Sequence, residues 1–472
     1  MIMAALVVLF HTTGFLSSIH SIMSTRTSQG AIAWAVSLNT FPYLAVPAYW
    51  ILGRSKFEGY VIARRSKDAA NDAIEREVIG SLEPFIGHEP EQTEAVRAGE
   101  ALAGMPVLSG NRVDLLIDGD ATFESILEGI DQAQSYVLVQ FYIVRDDGLG
   151  RALKDRLIAK AAEGLRVYFL YDEIGSYGLP ESYKRELREA GVDIREFNTR
   201  KGRRNRFQLN FRNHRKIVVT DGRVAWIGGH NVGDEYLGKD PKFGHWRDTH
   251  VRIEGPAVLK AQISFSEDWY WATSSMPEVE WSAHAATDGS DARVLVIPTG
   301  PADELESANL MFVHAINSAR ERIWIASPYF GPDHAVIVAL QLAGLRGVDV
   351  RVLIPDEPDH LAVYLAAFSY FDDAGETGAK FYRYQDGFLH EKAMLIDDDV
   401  ATIGTANFDN RSFRLNFEVT AVVAEPDFIE DVERMFEDDF AHSRIMREGE
   451  YDEKPWHVRL GVRVARLMAP IL

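Results

Sequence analysis

No cysteine occurs among the 472 residues. That absence removes disulfide staples, thiolate-bound zinc and a thiol nucleophile together. It fits a cytosolic-side catalytic domain without requiring one, since a periplasmic chain can also lack disulfides. Basic charge is scarce as well. With 50 Lys and Arg against 70 Asp and Glu, the net charge is −20, the wrong sign for a chain that grips nucleic acid non-specifically. No convincing cluster of metal ligands is present either. What the chain does have is an ordinary globular composition, 46% hydrophobic and 25% charged. Its length suits two or three domains, or one large duplicated domain.

One stretch runs against the overall charge. Residues 195–216 hold nine Lys or Arg (Arg195, Arg200, Lys201, Arg203, Arg204, Arg206, Arg212, Arg215, Lys216) and one acid, Glu196. A solvated loop has this composition too. The run leads straight into His214, however, which favours an anion-collecting approach to a site.

Charged residues are absent from the 22 positions 31–52, AIAWAVSLNTFPYLAVPAYWIL. About 20 such residues cross the hydrocarbon core of a bilayer. Pro42 and Pro47 are tolerable there, and Trp34, Tyr43, Tyr49 and Trp50 suit its interfaces. The stretch predicts a transmembrane helix. Residues 1–23 are also uncharged in their side chains, though His11, Thr12, Thr13, Ser17, Ser18 and His20 make them less apolar. A signal peptide would want a basic leading region, which is missing, so a two-span helical hairpin is expected. Only Arg26 lies between the segments, whereas Arg54, Lys56, Arg64, Arg65 and Lys67 follow the second. The positive-inside rule then puts the bulk of the chain in the cytoplasm. At the other end, Leu460, Val464, Leu467 and Ile471 recur at helical spacing beside Arg459, Arg463 and Arg466. That pattern suits a basic amphipathic helix on an anionic membrane surface, or equally a helix packed on the core.

Between these ends the chain repeats itself. SYVLVQFYIVRDDGLG, a helical run and LRVYFLYDEIG in the first half match ERIWIASPYFGPD, VIVALQLAGLRG and VDVRVLIPDEP in the second. Each is an apolar run, a helix-period stretch and another apolar run, ending in Asp172 or Asp356, which is a βαβ pattern. A third apolar piece follows in both, at 192–198 and 379–385. The halves match in order over most of 110–250 and 293–420, an internal repeat read as two α/β lobes. The small polar stretch 282–293 reads as the linker between them.

Within each half stands the phrase H-x-K-x4-D: His214, Lys216 and Asp221, then His390, Lys392 and Asp397. On a β-strand, residues two apart share a face, so each His and Lys should project together. Asp221 opens an Asp-Gly pair and Asp397 sits in a run of aspartates, so both read first as turn residues. Beyond each hairpin comes a small-residue clamp, Gly228-Gly229-His230-Asn231 and Gly404-Thr405-Ala406-Asn407. Glycine admits close backbone approach to an anion, asparagine donates N–H groups and lysine binds phosphate as a point charge. His, Lys and Asn from each half would make a doubled phosphate site on a pseudo-two-fold axis. One half would then supply a nucleophile and the other a general acid. Each His should need an acceptor on its second ring nitrogen. Asp248 in WRDTHVRI and Glu418 in NFEVTAVV qualify, against the plainer reading of charges at strand edges.

Two such motifs in a wider repeat resemble the phospholipase D superfamily, over roughly residues 110–445. Within it, the paired N-terminal segments, GRSKFEGY (53–60), FGHWRDTHVRIEGPAV (243–258), VIPTGP (296–301) and NFDNRSFRLNFE (407–418) are similar to bacterial cardiolipin synthases. The resemblance implies an α/β fold of two pseudo-symmetric phospholipase D-like lobes, with mixed sheets flanked by helices, plus the transmembrane hairpin. It implies catalytic motifs made of His214, Lys216, Asp221, His390, Lys392 and Asp397, and no cofactor or metal. It also implies a phosphatidyl-histidine intermediate on His214, with His390 as acid and base. Transfer between two phosphatidylglycerol molecules would give cardiolipin at the bacterial inner membrane. A phospholipid hydrolase of the same superfamily is the alternative, and a nuclease fits less well. The expected organisation is a membrane segment 1–60, a connector 61–108, lobes 109–281 and 294–446 joined by the linker 282–293, and a C-terminal helix in 447–472.

Overall fold

The computed structural model describes the chain except for residues 26, 54–56, 58–59, 62–68, 88–93, 199–209, 358, 448 and 470–472. Arg26, Arg54, Lys56, Arg64, Arg65, Lys67 and Ile471 therefore lie outside the described residues. So do Arg200, Lys201, Arg203, Arg204 and Arg206 of the basic run.

The predicted helix over 31–52 is not continuous. Three helices form the N-terminal end: α1 Ile2–Ser24, α2 Ser28–Thr40 and α3 Pro42–Leu52. The break falls at Phe41, with φ −139° and ψ 60°. A residue before proline is pushed out of the helical region, while proline itself starts a helix well at its first position. At about 1.5 Å per residue, α2 and α3 each fall short of the roughly 30 Å of hydrocarbon a span must cross. Among the described residues only α1, the segment with the weaker sequence signal, is long and apolar enough to do so. The helices pack on α1 through Trp50 Nε1–H donating to Ser17 Oγ (3.1 Å) and a His20–Tyr49 hydrogen bond of 2.6 Å. Gly14 lies against the Leu38 carbonyl. Hence α2 runs back along α1 as far as its middle, and α3 returns.

The body of the chain is built on strands that repeat in order. The first lobe contains β1 Leu108–Ile117, β2 Tyr136–Phe141, β3 Arg166–Asp172, β4 Asp193–Phe197, β5 Arg212–Asn213, β6 Ile217–Thr220, β7 Val224–Gly228, β8 Trp246–Arg247 and β9 Thr249–Glu254. The second contains β10 Ala292–Thr299, β11 Arg322–Ala326, β12 Phe330–Gly331, β13 Asp349–Pro355, β14 Lys380–Tyr384, β15 Phe388–Leu389, β16 Ala393–Ile396, β17 Val400–Gly404, β18 Phe408–Asp409, β19 Asn416–Ala424 and β20 Ser443–Ile445. In space the first lobe runs β1-β9-β7-β6-β2-β3-β4 and the second β10-β19-β17-β16-β11-β13-β14-β20. The two orders match strand for strand, apart from the extra edge strand β20. Antiparallel pairing of β1 with β10 fuses them into one mixed sheet. The β2-β3-β4 and β11-β13-β14 runs are parallel, as the βαβ pattern predicts.

Both faces of the sheet are covered, which explains why the central strands read as unbroken apolar runs. Along β2, Tyr136 and Leu138 enter one core and Val137 and Val139 the other. The first of these cores is shared between lobes. It holds Phe265 and Trp269 of the helix Val258–Thr273 and Phe428, Val432 and Phe436 of the helix Pro426–Ala441. Phe57 and Tyr60, at the end of the predicted membrane segment, are also buried here against Phe417.

Candidate active site

The H-x-K residues are not on a continuous strand. His214–Lys216 falls in a gap between β5 and β6, and His390–Lys392 in the matching gap between β15 and β16. The reason is an exchange between lobes. β5 pairs in parallel with β19 of the second lobe, and β15 with β8 of the first. Each chain segment must leave the other lobe's strand before rejoining its own sheet, and the motif occupies the crossing. The backbone N–H of His214 donates to Phe417 O (2.9 Å), and that of His390 to Arg247 O (2.7 Å).

The exchange brings each imidazole to a carboxylate of the opposite lobe. His214 Nδ1 lies 2.9 Å from Glu418 Oε2, and His390 Nδ1 lies 2.6 Å from Asp248 Oδ2. All four residues are buried. Edge-on aromatic contact from Tyr142 to His214 and tilted packing of Trp246 on His390, each at 5.0 Å between centroids, fix the rings further. In both rings Nε2 is left for a reacting atom. Thr405 Oγ1–H donates to Glu418 Oε2 (2.6 Å). Opposite it, a Cβ on Gly229 would stand 2.0 Å from Asp248 Oδ1. Thus the close approach that Gly229 permits is to the protein's own carboxylate.

The other predicted residues divide into two groups. Lys216 Nζ donates to the His214 carbonyl (2.8 Å), and Lys392 Nζ to that of His390. Both ammonium groups are buried in the same site. Asn231 accepts from the Ile143 N–H (3.0 Å), while the buried Oδ1 of Asn407 has no hydrogen-bond partner among the described residues. Asp221 and Asp397 stand apart, at φ 54° and 49°. The carboxylate of Asp221 accepts from the N–H groups of Gln134, Ser135 and Tyr136, and that of Asp397 from Arg320, Glu321 and Arg322. Each ties its turn to the start of the neighbouring strand, and neither hydrogen-bonds a histidine.

Burial dominates the electrostatics. It lowers His214 to about 4, helped by Lys216 and Lys392 and opposed by Glu418. His390 is pushed well below the usual imidazole value by burial, then by Lys392, Lys216 and His214. Its 2.6 Å contact with Asp248 acts in the opposite sense. Burial likewise brings Lys216 down to about 7 and Lys392 to about 8. Although burial raises it, Glu418 is held below the ordinary carboxylate range by His214 and Lys216. Burial disfavours the charged form of both ammonium groups, and a bound anion would supply the charge that stabilises it.

The residue between His and Lys is charged and buried in each motif. Arg215 donates to Asp268 (2.9 Å) and to the Glu418 carbonyl (3.0 Å), while Tyr60, Gln140 and Asn213 donate to the same Asp268 carboxylate. Glu391 meets Arg247 (3.1 Å), which also bonds Asp439 (2.8 Å). These two ion clusters lie behind the imidazoles and were not foreseen. A charged residue at the same place in both motifs was the available signal.

The family model described as "Cardiolipin synthase, PLD-like domain" matches residues 126–269 and 312–440. Cardiolipin synthase A of Pseudomonas fluorescens is 48% identical over 472 residues, covering 99% of this chain and 98% of that protein. Cardiolipin synthase A of Pseudomonas aeruginosa is 48% identical over 464 residues, covering 97% and 94%. The solved phosphatidylserine synthase of Haemophilus influenzae has the same fold, with a TM-score of 0.62 at 16% identity, over 80% of this chain and 100% of that one. Two motif-bearing half-sites, matched along nearly the whole chain by these relatives, make this protein a member of the phospholipase D-like family of cardiolipin synthases.

Proposed function

We propose that this protein is a phosphatidyltransferase that makes cardiolipin from two molecules of phosphatidylglycerol, with glycerol as the second product. The observation that carries the reading is the pair of crossed contacts, His214 to Glu418 and His390 to Asp248. Two oriented imidazoles facing one cationic site suit an in-line displacement at phosphorus.

His214, neutral and with its Nδ1–H held by Glu418, attacks phosphorus through Nε2. The bond to the glycerol oxygen breaks, and His390 gives that oxygen a proton. A bound phosphodiester offsets the positive charge of Lys216 and Lys392, and Asp248 stabilises the imidazolium, so His390 carries its proton in the complex. The now neutral His390 takes the proton of a glycerol hydroxyl on the second phosphatidylglycerol. That oxygen attacks phosphorus, the P–N bond breaks, and His214 is restored. Asn231 and Asn407 line the site as further anion contacts, and residues 109–281 and 294–446 serve as its two half-sites. The apolar α1 supports association with the membrane that holds the substrate. The basic residues Arg54, Lys56, Arg64, Arg65 and Lys67 in the sequence are what supports a cytoplasmic side for the lobes.

The test is to incubate the purified protein with phosphatidylglycerol vesicles and quantify cardiolipin, glycerol and phosphatidic acid together. Equal cardiolipin and glycerol is the expected result. Phosphatidic acid without cardiolipin would make water the acceptor and the protein a hydrolase.

A further inference from the structure

The C-terminal helix Trp456–Met468 is apolar on both sides. Its inner strip is made of small and medium residues, Val462 and Ala465, buried against the helix Leu361–Gly375. Its outer strip is made of large ones. Trp456, Leu460, Val464 and Leu467 are 75%, 55%, 53% and 80% exposed. Their spacing puts them on one stripe of the helix. A helix whose outer side meets water carries polar residues there. A row of large apolar side chains marks a surface that meets something else.

Arginines border this row. Arg459 bonds Asp452 (3.1 Å) and Arg466 bonds Asp373 (3.0 Å), while Arg459 and Arg463 both lie over the Tyr451 ring. Exposed ion pairs of this kind are worth at most about 1 kcal/mol, so they yield readily to a stronger anion. A cationic margin matters on a chain of net charge −20, which an anionic surface otherwise repels. A second copy of this helix would bring arginine rows together instead.

The row also has a position. Gly461 lies beside Leu365, and Arg466 donates to the Ser369 carbonyl (3.1 Å), so the two helices run side by side in the same direction. Their first turns therefore lie together. The inner helix starts next to Asp359, whose carboxylate accepts from Tyr329 Oη and whose charge is felt at Lys392. Leu361, 65% exposed, continues the apolar surface toward that end.

We propose that the outer face of the C-terminal helix docks on an anionic phospholipid bilayer, with Trp456, Leu460, Val464 and Leu467 in the acyl boundary and the arginines at the phosphates. Docked there, it holds the second lobe's edge of the active site against the lipid surface. This rests on the lipid-acting reading above. Because the chain has no cysteine, one introduced thiol can be labelled cleanly. Full-length Leu460→Cys, and separately Trp456→Cys, is labelled with an environment-sensitive fluorophore and reconstituted in phosphatidylglycerol vesicles containing a nitroxide lipid. Arg185→Cys, on the polar helix Glu181–Glu189, is the control. The expected result is blue-shifted emission with most of the signal quenched at 460 and 456, and little change at 185. Equal quenching at all three positions, or none at 460 and 456, overturns the proposal. So does disulfide formation between two copies of unlabelled Leu460→Cys on the same vesicles, with no quenching in the labelled protein. Cardiolipin production is measured on the same samples. Cardiolipin without quenching overturns the docking alone, whereas quenching without cardiolipin upholds it and overturns the proposed reaction.

Discussion

His214 belongs to the first lobe and Glu418 to the second, yet they meet at 2.9 Å through a hydrogen bond that bridges 204 residues of sequence. His390 and Asp248 make the reciprocal contact at 2.6 Å. Neither lobe therefore holds a complete imidazole–carboxylate pair of its own. The duplication of the motif and the exchange of β5 and β15 between lobes are one device: each half lends its histidine's backbone to the other half's strand.

This predicts different failures for the two carboxylates. Glu418→Gln keeps the shape and removes the charge that orients the nucleophile, so turnover should fall by roughly 10²-fold or more. Formation of the covalent intermediate should fall in parallel, even from a substrate with a good leaving group. Asp248→Asn should depress turnover on phosphatidylglycerol by a similar factor. It should leave intermediate formation from a nitrophenyl phosphodiester substrate much less affected, because that leaving group needs no proton. Single-turnover measurements on both substrates check the split.

Gly229→Ala should behave like a catalytic lesion although it adds one methyl group. The new Cβ falls 2.0 Å from Asp248 Oδ1, so the carboxylate must move and His390 loses its partner. Turnover should drop by about the factor seen for Asp248→Asn, within the 10²–10⁴ range of acid–base catalysis. A drop in KM alone, with kcat unchanged, would contradict this.

Asp221→Ala and Asp397→Ala should cost stability and spare chemistry. Each leaves three backbone N–H groups without their acceptor and puts Ala at a positive φ. A loss of about 1–3 kcal/mol is expected from the unsatisfied donors. It is checked by denaturant unfolding alongside kcat for the folded fraction. Asparagine, which tolerates positive φ, should be milder at both sites.

Buried His230 and His250 touch at 3.1 Å, and burial lowers both, His230 to about 4. In the unfolded chain such groups titrate near 6.5. As pH falls, the unfolded state takes up these protons first. Their contribution to stability is thus complete above about pH 6.5 and is lost as pH falls toward the folded value. Asp409 and Asp439, raised by burial to about 6, act in the opposite sense, so the comparison must be differential. The melting temperature of His230→Asn should rise relative to the parent as pH drops from 7 to about 4. A constant difference would contradict the assignment.

Several of these features could be read directly from the chain. The repeat, the βαβ order and the turn role of Asp221 follow from local periodicity and the Asp-Gly pair. Asp248 and Glu418 were visible as acids in strand-like stretches, though Asp248 falls in the break between β8 and β9. Their crossed pairing was not visible, because it depends on β5 pairing with β19 and β15 with β8. The gap in the strand at His214 has the same origin. Phe41 was a legible break that hydropathy masked: an uncharged run says nothing of backbone continuity, and the residue before Pro42 does. Tyr60 was visible only as the end of GRSKFEGY; its role was not, since it exists only through Asp268 of a distant helix.

The most direct test of the two-histidine assignment is to trap the intermediate. Wild-type protein is mixed with a nitrophenyl phosphatidyl substrate, quenched in alkali to preserve phosphohistidine, digested and sequenced by mass spectrometry. A phosphatidyl adduct on His214, recovered as glycerophosphoryl-histidine once alkali has removed the acyl chains, absent in His214→Ala and retained in His390→Ala, is the predicted result. An adduct on His390 in the wild type would contradict it and exchange the roles of the two lobes.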